Sequence, residues 1–245
     1  MRTEDRYPLV LLVLFCLIFA ALGIAPAYRQ DWLLENMLVL VAVPSLVLTH
    51  RRLRFSNFAY TCLFIFFVLH EIGAHYTYSE VPWQEWLATM TGGYSGSGAI
   101  AVRNHFDRLV HFSYGLLVMP AAWELLQARA APRGIWRYLL PVLFLISHSV
   151  IYELIEWGAA IVFGGDLGAA YLGTQGDEWD AQKDMALAGV GALIAMAVTA
   201  SLNYGLQRDF AREWVDSLRV KSAAPLGEDE LARLWRQRRE GRRRR

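Results

Sequence analysis

The chain has 245 residues, of which 55% are hydrophobic and only 19% are charged, with a net charge of +1 and a mean hydropathy of +0.26. This composition is too apolar for an ordinary soluble domain and indicates a membrane protein. Cys16 and Cys62 both lie in apolar runs without a CxxC pair, which excludes a disulfide framework and a zinc ribbon.

Long apolar segments recur along the chain, and a bilayer crossing needs about 20 helical residues. The sequence predicts an all-α fold, a polytopic helical membrane bundle of about six transmembrane helices. We expect residues 1–207 to form the transmembrane domain and residues 208–245 a basic cytoplasmic tail. The predicted segments are roughly 8–25, 32–49, 57–78, 106–126, 136–163 and 183–205.

Connections that are rich in arginine alternate along the chain with connections that contain few basic residues. The second and fourth connections and the start of the tail contain Arg51, Arg52, Arg54, Arg129, Arg133, Arg137, Arg208 and Arg212. The other connections offer only Arg29, Arg103 and Lys183, so the positive-inside rule predicts that both termini are cytoplasmic. A cleaved signal peptide ending near Ala27 is an alternative for the first segment, which its long apolar core disfavours.

Ionisable residues stand at the outer ends of four segments. "FVLHEIGAHYTY" carries His70, Glu71 and His75, while "RNHFDRLVHF" carries Asp107 and His111 four residues apart on one helix face. In "SHSVIYELIEW" and "GDEWDAQKDM" the corresponding residues are Glu153, Glu156, Asp177, Asp180 and Asp184. Such groups are costly in a membrane unless they are paired or hydrated, so we expect one shared polar chamber in the outer leaflet.

Two roles are predicted within this chamber. Imidazoles and carboxylates without thiolates suit a divalent metal such as zinc, manganese or iron, and a remaining carboxylate could act as a general base on metal-bound water. The candidate metal ligands are His70, Glu71, His75, Asp107, His111, Asp177 and Asp180. The candidate catalytic residues are Asp107, His111, Glu153, Glu156 and Asp184. A metal-free site and a purely structural polar network remain alternatives.

Other polar residues receive structural interpretations. We interpret His148 as a core histidine with its hydrogen bonds satisfied. Glu35 and Asn36 are either members of the polar chamber or merely interfacial, and we favour the interfacial interpretation. The final "RQRREGRRRR" predicts a cytoplasmic helix that attracts anionic lipid, in addition to the membrane lipids around the bundle. No nucleic-acid partner is expected, because no folded recognition module surrounds this arginine cluster.

The blocks "HEIGAHYTYSEVPW", "RNHFDRLVHF", "YELIEWGAA" and "LGTQGDEWDAQKDM" resemble the signatures of the bacterial inner-membrane family typified by YjdF. This resemblance implies a multi-pass protein of the bacterial cytoplasmic membrane but supplies no reaction. The order "DRLVHFSYGLL", "YELIEW" and Asp184 is also similar to that of VanZ-like membrane proteins. That second resemblance implies a functional core of Asp107, His111, Glu153 and Asp184.

The leading functional hypothesis is binding of, or chemistry on, a lipid or an envelope-linked small molecule at the outer-leaflet chamber. A metal-dependent hydrolase or transferase would fit these residues. The alternative is a transporter or channel for a cation or protons. It is disfavoured because the inner halves of the segments contain almost no ionisable residues that could form a relay.

Overall fold

The computed structural model describes residues 5–91, 103–206, 210–219 and 226–243. Within these ranges the chain is helical and contains no strand, and a short 3-10 turn spans Tyr78–Glu80. The α-helices in chain order are α1 (Arg6–Leu22), α2 (Arg29–Thr49), α3 (Asn57–Tyr76), α4 (Trp83–Thr91), α5 (Phe106–Arg129), α6 (Trp136–Phe163), α7 (Gly165–Leu172), α8 (Asp180–Leu206), α9 (Phe210–Ser217) and α10 (Leu226–Arg243).

The predicted transmembrane segments are confirmed as helices, with bounds that agree within a few residues. Helices α2, α3, α5, α6 and α8 are long and apolar enough to cross a membrane. Helix α1 is equally apolar but slightly shorter, at 17 residues. The protein is therefore a helical membrane bundle of about six helices, as its composition predicts.

Helix α5 occupies the centre of the bundle, where it packs against α3, α6 and α8. Its contact with α8 is very close, because a Cβ atom at Gly115 would overlap the carbonyl oxygen of Ala188. On the opposite helix, a Cβ atom at Gly191 would overlap the carbonyl oxygen of Phe112. Small residues permit such backbone approach between membrane helices. The approach also places Asp184, one turn before Ala188, beside the first turns of α5.

The end of α3 determines where Tyr78 points. Thr77 adopts a left-handed conformation (φ 58°) that ends the helix, and the 3-10 turn then reverses the chain. The ring of Tyr78 folds back over Gly73, where a Cβ atom would lie only 2.5 Å from the Tyr78 Cε1 atom. Glycine at position 73 is therefore required for this packing, and it brings the Tyr78 hydroxyl to His70.

Helices α1 and α2 both pack on α3, and α7 packs on α6 and α2. Helix α7 lies close to α6, since a Cβ atom at Gly168 would be 2.8 Å from the carbonyl oxygen of Ala160. Between α2 and α6 themselves, the Tyr152 hydroxyl donates a hydrogen bond to the Glu35 carboxylate over 3.0 Å. Helix α7 and this hydrogen bond thus connect α2 to α6 at the end of the bundle where α7 lies.

Two apolar cores fill the remaining contacts. The first surrounds α3 and includes Phe15, Leu63, Phe66, Phe67 and Val110. The second lies between α5, α6 and α8, at the end of the bundle that carries the arginine-rich connections, and includes Met119, Leu145, Ala192 and Met196. The buried ionisable residues of α5 and α8, which are His111, Asp180 and Asp184, lie toward the opposite end.

Helix α9 packs against the start of α6. The Glu213 carboxylate accepts hydrogen bonds from the Gly134 amide and the Arg137 guanidinium, at 3.2 and 3.3 Å. Trp214 stacks on Tyr138 with ring centroids 5.9 Å apart. The eight-residue helix α9 is thus docked on the bundle.

Candidate functional site

His111 on α5 lies at the centre of a compact polar group. Its Nε2 atom is 3.5 Å from Asp107 Oδ1 and 3.6 Å from Glu153 Oε1 on α6. One possible ligand atom from each of Asp107, His111 and Asp184 lies within 4.8 Å of the other two. We call Asp107, His111, Glu153 and Asp184 the His111 cluster. Three helices therefore direct three carboxylates toward one imidazole.

Local geometry and helix packing both build this cluster. Asp107 and His111 are neighbours because residues four apart share a helix face. Asp184 reaches them because Gly115 and Gly191 allow α8 to approach α5 closely. Asp184 is only 2% exposed, and its Oδ1 atom has no hydrogen-bond partner within the described ranges. The cluster thus contains a buried carboxylate oxygen that is free to bind a ligand.

A cation-rich group lies beside the cluster at the start of α8. Arg103 donates hydrogen bonds to the Asp180 carboxylate and to the carbonyl oxygen of Thr174. Arg108 donates to Asp177 over 2.5 Å and lies 3.4 Å from Asp180. We call Asp177 and Asp180 the cation-paired acids. Each is neutralised by an arginine, and this pairing removes them from the His111 cluster.

Lys183 adds a further contact to Asp177, over 2.6 Å. This hydrogen bond, with one from the Trp179 amide, holds the pKa of the Asp177 carboxyl well below its usual range. Asp177 precedes α8 and lies outside the membrane-spanning helices. It is therefore ionised at neutral pH and acts as an ion-pair partner.

A different group of acids lies on α2 and α3. Asp31, Glu35 and Glu71 are 1%, 3% and 0% exposed, respectively. In the part of the chain that the structure describes, none of them forms an ion pair with lysine or arginine. Their polar neighbours are uncharged side chains or other acids: Thr77 and Glu80 are near Asp31, Tyr152 and Asp31 are near Glu35, and Asn36 and Trp32 are near Glu71. We call Asp31, Glu35 and Glu71 the cation-free acids.

His70 joins the cation-free acids to Tyr78. The His70 Nε2 atom lies 3.2 Å from the backbone carbonyl oxygen of Glu35, which can only accept, so Nε2 donates. In the neutral imidazole Nδ1 then accepts from the Tyr78 hydroxyl, over 2.5 Å. Burial raises the pKa of Tyr78 well above its usual range, which keeps this phenol protonated as a donor. The network thus fixes a neutral tautomer of His70.

Two cavities connect these groups. A cavity of about 180 Å³ is lined by His70, Tyr78, Asp107 and His111, and by Leu38, His148, Ile151 and Ile155 from α2 and α6. A much smaller cavity of about 10 Å³ lies under α7, next to Asp31, Glu35, Asp107 and Glu156. Asp107 lines both cavities and so stands between the His111 cluster and the cation-free acids.

The structure separates most of the predicted metal ligands. Asp107 and His111 lie in the His111 cluster, whereas Asp177 and Asp180 are paired with arginines. His70 is engaged by Tyr78 and the Glu35 carbonyl, and Glu71 faces α2. His75 lies elsewhere, because its Nδ1 atom donates to the Leu22 carbonyl oxygen at 2.7 Å. The three ionisable residues of α3 lie at different angular positions around the helix axis, and they therefore contact three different neighbours.

The predicted catalytic residues are also divided. Asp107, His111, Glu153 and Asp184 lie in the His111 cluster. Glu156, one turn beyond Glu153, instead lines the small cavity under α7 with Glu35. The predicted single chamber is thus two adjacent polar compartments that share Asp107.

Some interpretations from the sequence are wrong. Glu35 and Asn36 are buried inside the bundle rather than interfacial, because α3 and α7 cover this face of α2. His148 is exposed on α6, where it stacks on Phe144 with centroids 4.9 Å apart. It lines the larger cavity instead of lying in the core.

Sequence reasoning also missed several neighbours of these groups, although it considered Glu35 as a possible member of the chamber. Asp31 and Glu35 have the same four-residue spacing as Asp107 and His111, and this spacing could have identified them. Arg103 and Arg108 flank Asp107 in sequence, a signal that carboxylates nearby are partly neutralised. For Tyr78 no comparable signal exists, because its contact with His70 depends on the left-handed turn at Thr77.

Comparisons with known proteins agree with the helical membrane architecture. The family model described as "Predicted membrane protein (DUF2238)" matches residues 7–204. The chain is 35% identical over 218 residues to the inner membrane protein YjdF of Escherichia coli (strain K12), a match that covers 85% of this chain and 97% of that protein. No solved structure matches. The similarity to VanZ-like proteins stays a prediction.

Proposed function

The chain belongs to the DUF2238 family of predicted membrane proteins, and we propose that it binds, and acts on, the polar head of a lipid or lipid-linked molecule that enters sideways between α2 and α6. The observation that carries this proposal is the cavity of about 180 Å³. It extends from the lipid-facing surface of these two helices to His70, Tyr78, Asp107 and His111.

The rim of this cavity is apolar and exposed. Leu38 on α2 is 38% exposed, and Ile151 and Ile155 on α6 are 52% and 57% exposed. In a membrane-spanning bundle such side chains face acyl chains, so the mouth of the cavity opens to lipid. A substrate that arrives from lipid must itself be membrane-borne, because water-soluble molecules do not partition there.

The inner wall of the cavity carries several polar side chains, interspersed with apolar ones such as Phe66 and Val110. Asp107 and His111 belong to the His111 cluster, and the Tyr78 and His70 side chains line the same wall. Asp107 and His111 would supply an acceptor and a donor to a polar head, and the Tyr78 hydroxyl oxygen a further acceptor, whereas both ring nitrogens of His70 are already engaged. An apolar mouth and polar side chains on the inner wall together match an amphipathic molecule.

The volume of the cavity limits what enters it. About 180 Å³ is below the ~300–1,000 Å³ of a typical small-molecule pocket. A compact polar group fits this space, and acyl chains attached to it would remain outside along Ile151, Ile155 and Leu38. A head group at the His111 cluster with its tails in the bilayer is therefore the mode of binding that we propose.

Transport through the same residues is less well supported. Between the His111 cluster and the arginine-rich end, α5, α6 and α8 are packed around Met119, Leu145, Ala192 and Met196. These apolar residues would block a hydrated path. The binding or the reaction that we propose therefore takes place at one end of the bundle.

We also propose that both termini are cytoplasmic and that the cavity serves the outer leaflet, because the arginine-rich connections lie at the other end. Single cysteines would be introduced at exposed Gln84 and exposed Arg133, with Cys16 and Cys62 replaced by alanine. A membrane-impermeant maleimide on spheroplasts should label position 84 alone. Labelling of position 133 alone, or equal labelling of both positions, would overturn this orientation.

Site-specific photocrosslinking tests lateral entry. Benzoylphenylalanine would replace Ile155, which lines the cavity, or Leu154, which is equally exposed at 57% on the same helix but lies outside it. After irradiation in cells, mass spectrometry of the adducts should show one lipid class enriched at position 155 relative to position 154. His111→Gln should remove this enrichment. Identical lipid profiles at the two positions would contradict the proposal.

A further inference from the structure

The His111 cluster has an excess of carboxylates. Asp107, Glu153 and Asp184 surround one imidazole, and Arg103 and Arg108 form their ion pairs with Asp177 and Asp180 instead. Buried charges are normally paired or coordinate a metal. Within the described part of the chain, the two arginines therefore form no ion pair with the three carboxylates of the cluster.

The positions of the ligand atoms are compatible with one small ion. The three atoms from Asp107, His111 and Asp184 lie within 4.8 Å of one another. Bonds of about 2.0–2.2 Å to one central ion would place any two of them at most about 4.4 Å apart, so side-chain rotation would have to close the widest gap. In addition, Asp184 Oδ1 is buried without a hydrogen-bond partner among the described residues. This oxygen is an independent indication that the cluster is built for a ligand.

From these contacts we propose that Asp107, His111 and Asp184 bind one divalent transition-metal ion, Zn²⁺ or Mn²⁺. One imidazole nitrogen and two carboxylates form a mixed ligand set that suits these borderline ions, and no thiolate is nearby to favour softer ones. The ligands come from α5 and α8 only, so the ion would also join the two most closely packed helices.

The surroundings leave room for chemistry at the ion. Asp107 and His111 line the cavity of about 180 Å³, so coordination positions on that side would be open to a polar head or to water. Glu153 Oε1, 3.6 Å from His111 Nε2, would accept a hydrogen bond from a water molecule on the ion. This inference concerns the proposed site but does not depend on lateral entry of a lipid.

Metal titration of the full-length protein tests the site directly. Protein in detergent micelles would be stripped with chelator and titrated with Zn²⁺ or Mn²⁺ by calorimetry. Wild type should bind one ion per chain. Loss of a residue that only hydrogen-bonds to a metal ligand already weakens metal binding by about 10–100-fold. Asp184→Asn and His111→Gln remove ligands themselves, so they should weaken metal binding by at least about 100-fold.

Two controls separate metal binding from general damage. His148→Gln changes an exposed histidine that lines the same cavity, and Asp216→Asn changes an aspartate paired with Arg219 on the surface. Both should bind the ion as tightly as wild type. Equal affinities in the cluster variants and these controls, or no binding by wild type to either metal, would overturn the inference.

A spectroscopic readout covers the case in which the cluster variants do not fold. Electron paramagnetic resonance of Mn²⁺ bound to wild type should show coupling to one imidazole nitrogen, from His111. Bound Mn²⁺ without nitrogen coupling would also overturn the inference. Because neither measurement uses a lipid, failure here is distinguishable from failure of the photocrosslinking experiment.

Discussion

The cation-paired acids and the cation-free acids lie in one protein and are treated very differently. Asp180 is 4% exposed and contacts two arginines, whereas Glu35 is 3% exposed and contacts a tyrosine hydroxyl. Burial is thus almost equal, and the partner is what differs. The comparison teaches that depth alone does not decide the role of an acid in this bundle.

The two kinds of partner imply different energetics. An arginine beside a buried carboxylate favours the ionised form, and removing one member leaves an uncompensated charge. Hydroxyl and amide partners can serve either a carboxylate or a neutral carboxylic acid. The cation-paired acids should therefore depend strongly on their charge, and the cation-free acids should tolerate neutralisation.

Arg103→Ala should have the largest effect on stability. It leaves Asp180 with only its longer contact to Arg108 and frees the Thr174 carbonyl oxygen, so we expect a loss of about 3–5 kcal/mol. The measurement is thermal unfolding in detergent. Arg219→Ala is the control, because its pair with Asp216 is exposed and should contribute at most about 1 kcal/mol. Similar losses of stability in both variants would show that the buried contacts of Arg103 contribute no more than the exposed pair of Arg219 with Asp216.

Gly73→Ala tests the packing of the cation-free side. The new methyl group would meet the Tyr78 ring, which should cost about 1–3 kcal/mol and displace the Tyr78 hydroxyl from His70. Gly158→Ala, where no atom lies within 4 Å, is the matched control and should be neutral or slightly stabilising. If Gly73→Ala unfolds at the same temperature as Gly158→Ala, the close contact between Gly73 and Tyr78 is not maintained in solution.

Glu35→Gln should be tolerated, with a change below about 1 kcal/mol, because the amide oxygen still accepts the hydrogen bond from Tyr152. Asp180→Asn, measured in the same thermal assay, should cost more, since it weakens the contacts to Arg103 and Arg108. A larger loss for Glu35→Gln than for Asp180→Asn would reverse the comparison.

The smallest effect concerns pH. The pKa of Asp177 is lowered in the folded protein, chiefly by Lys183, so its stabilising contribution is present above the ordinary aspartate pKa of about 4. The contribution is lost as the pH falls from there through the lower folded value. Melting temperatures of wild type and Asp177→Asn should differ at pH 7 and converge in acid. A constant difference over the same pH range would show that charge at Asp177 is irrelevant.

The sequence predicted the helices better than their mutual arrangement. Helix positions follow from apolar segments of bilayer length, and this signal is local in the chain. The pairing of Asp107 with His111 was likewise predictable from spacing on one helix. Their proximity to Asp184 was predicted only as a shared depth. The direct contact depends on Gly115 and Gly191, whose close approach joins distant parts of the sequence.

Rotation about each helix axis was the main unknown. His70, Glu71 and His75 lie within six positions and were expected in one chamber, yet they contact Tyr78, the α2 residues and the Leu22 carbonyl, respectively. Low amphipathicity explains this, because a helix that is apolar on nearly all sides gives little indication of which face meets which neighbour. From such a sequence, the depth of a residue in the membrane can be predicted more readily than the direction in which its side chain points from the helix axis.

The docking of α9 on α6 has a consequence for everything that follows it in the chain. Arg219, two residues after the end of α9, is separated from Leu226 by seven peptide units, so the start of α10 lies within about 25 Å of Arg219. For a surface near the start of α6 that attracts arginine, this short chain separation would set the effective concentration of the α10 arginines, in place of free diffusion. Each arginine contact would then need little affinity of its own, and a longer connection would weaken the contacts without altering any of them.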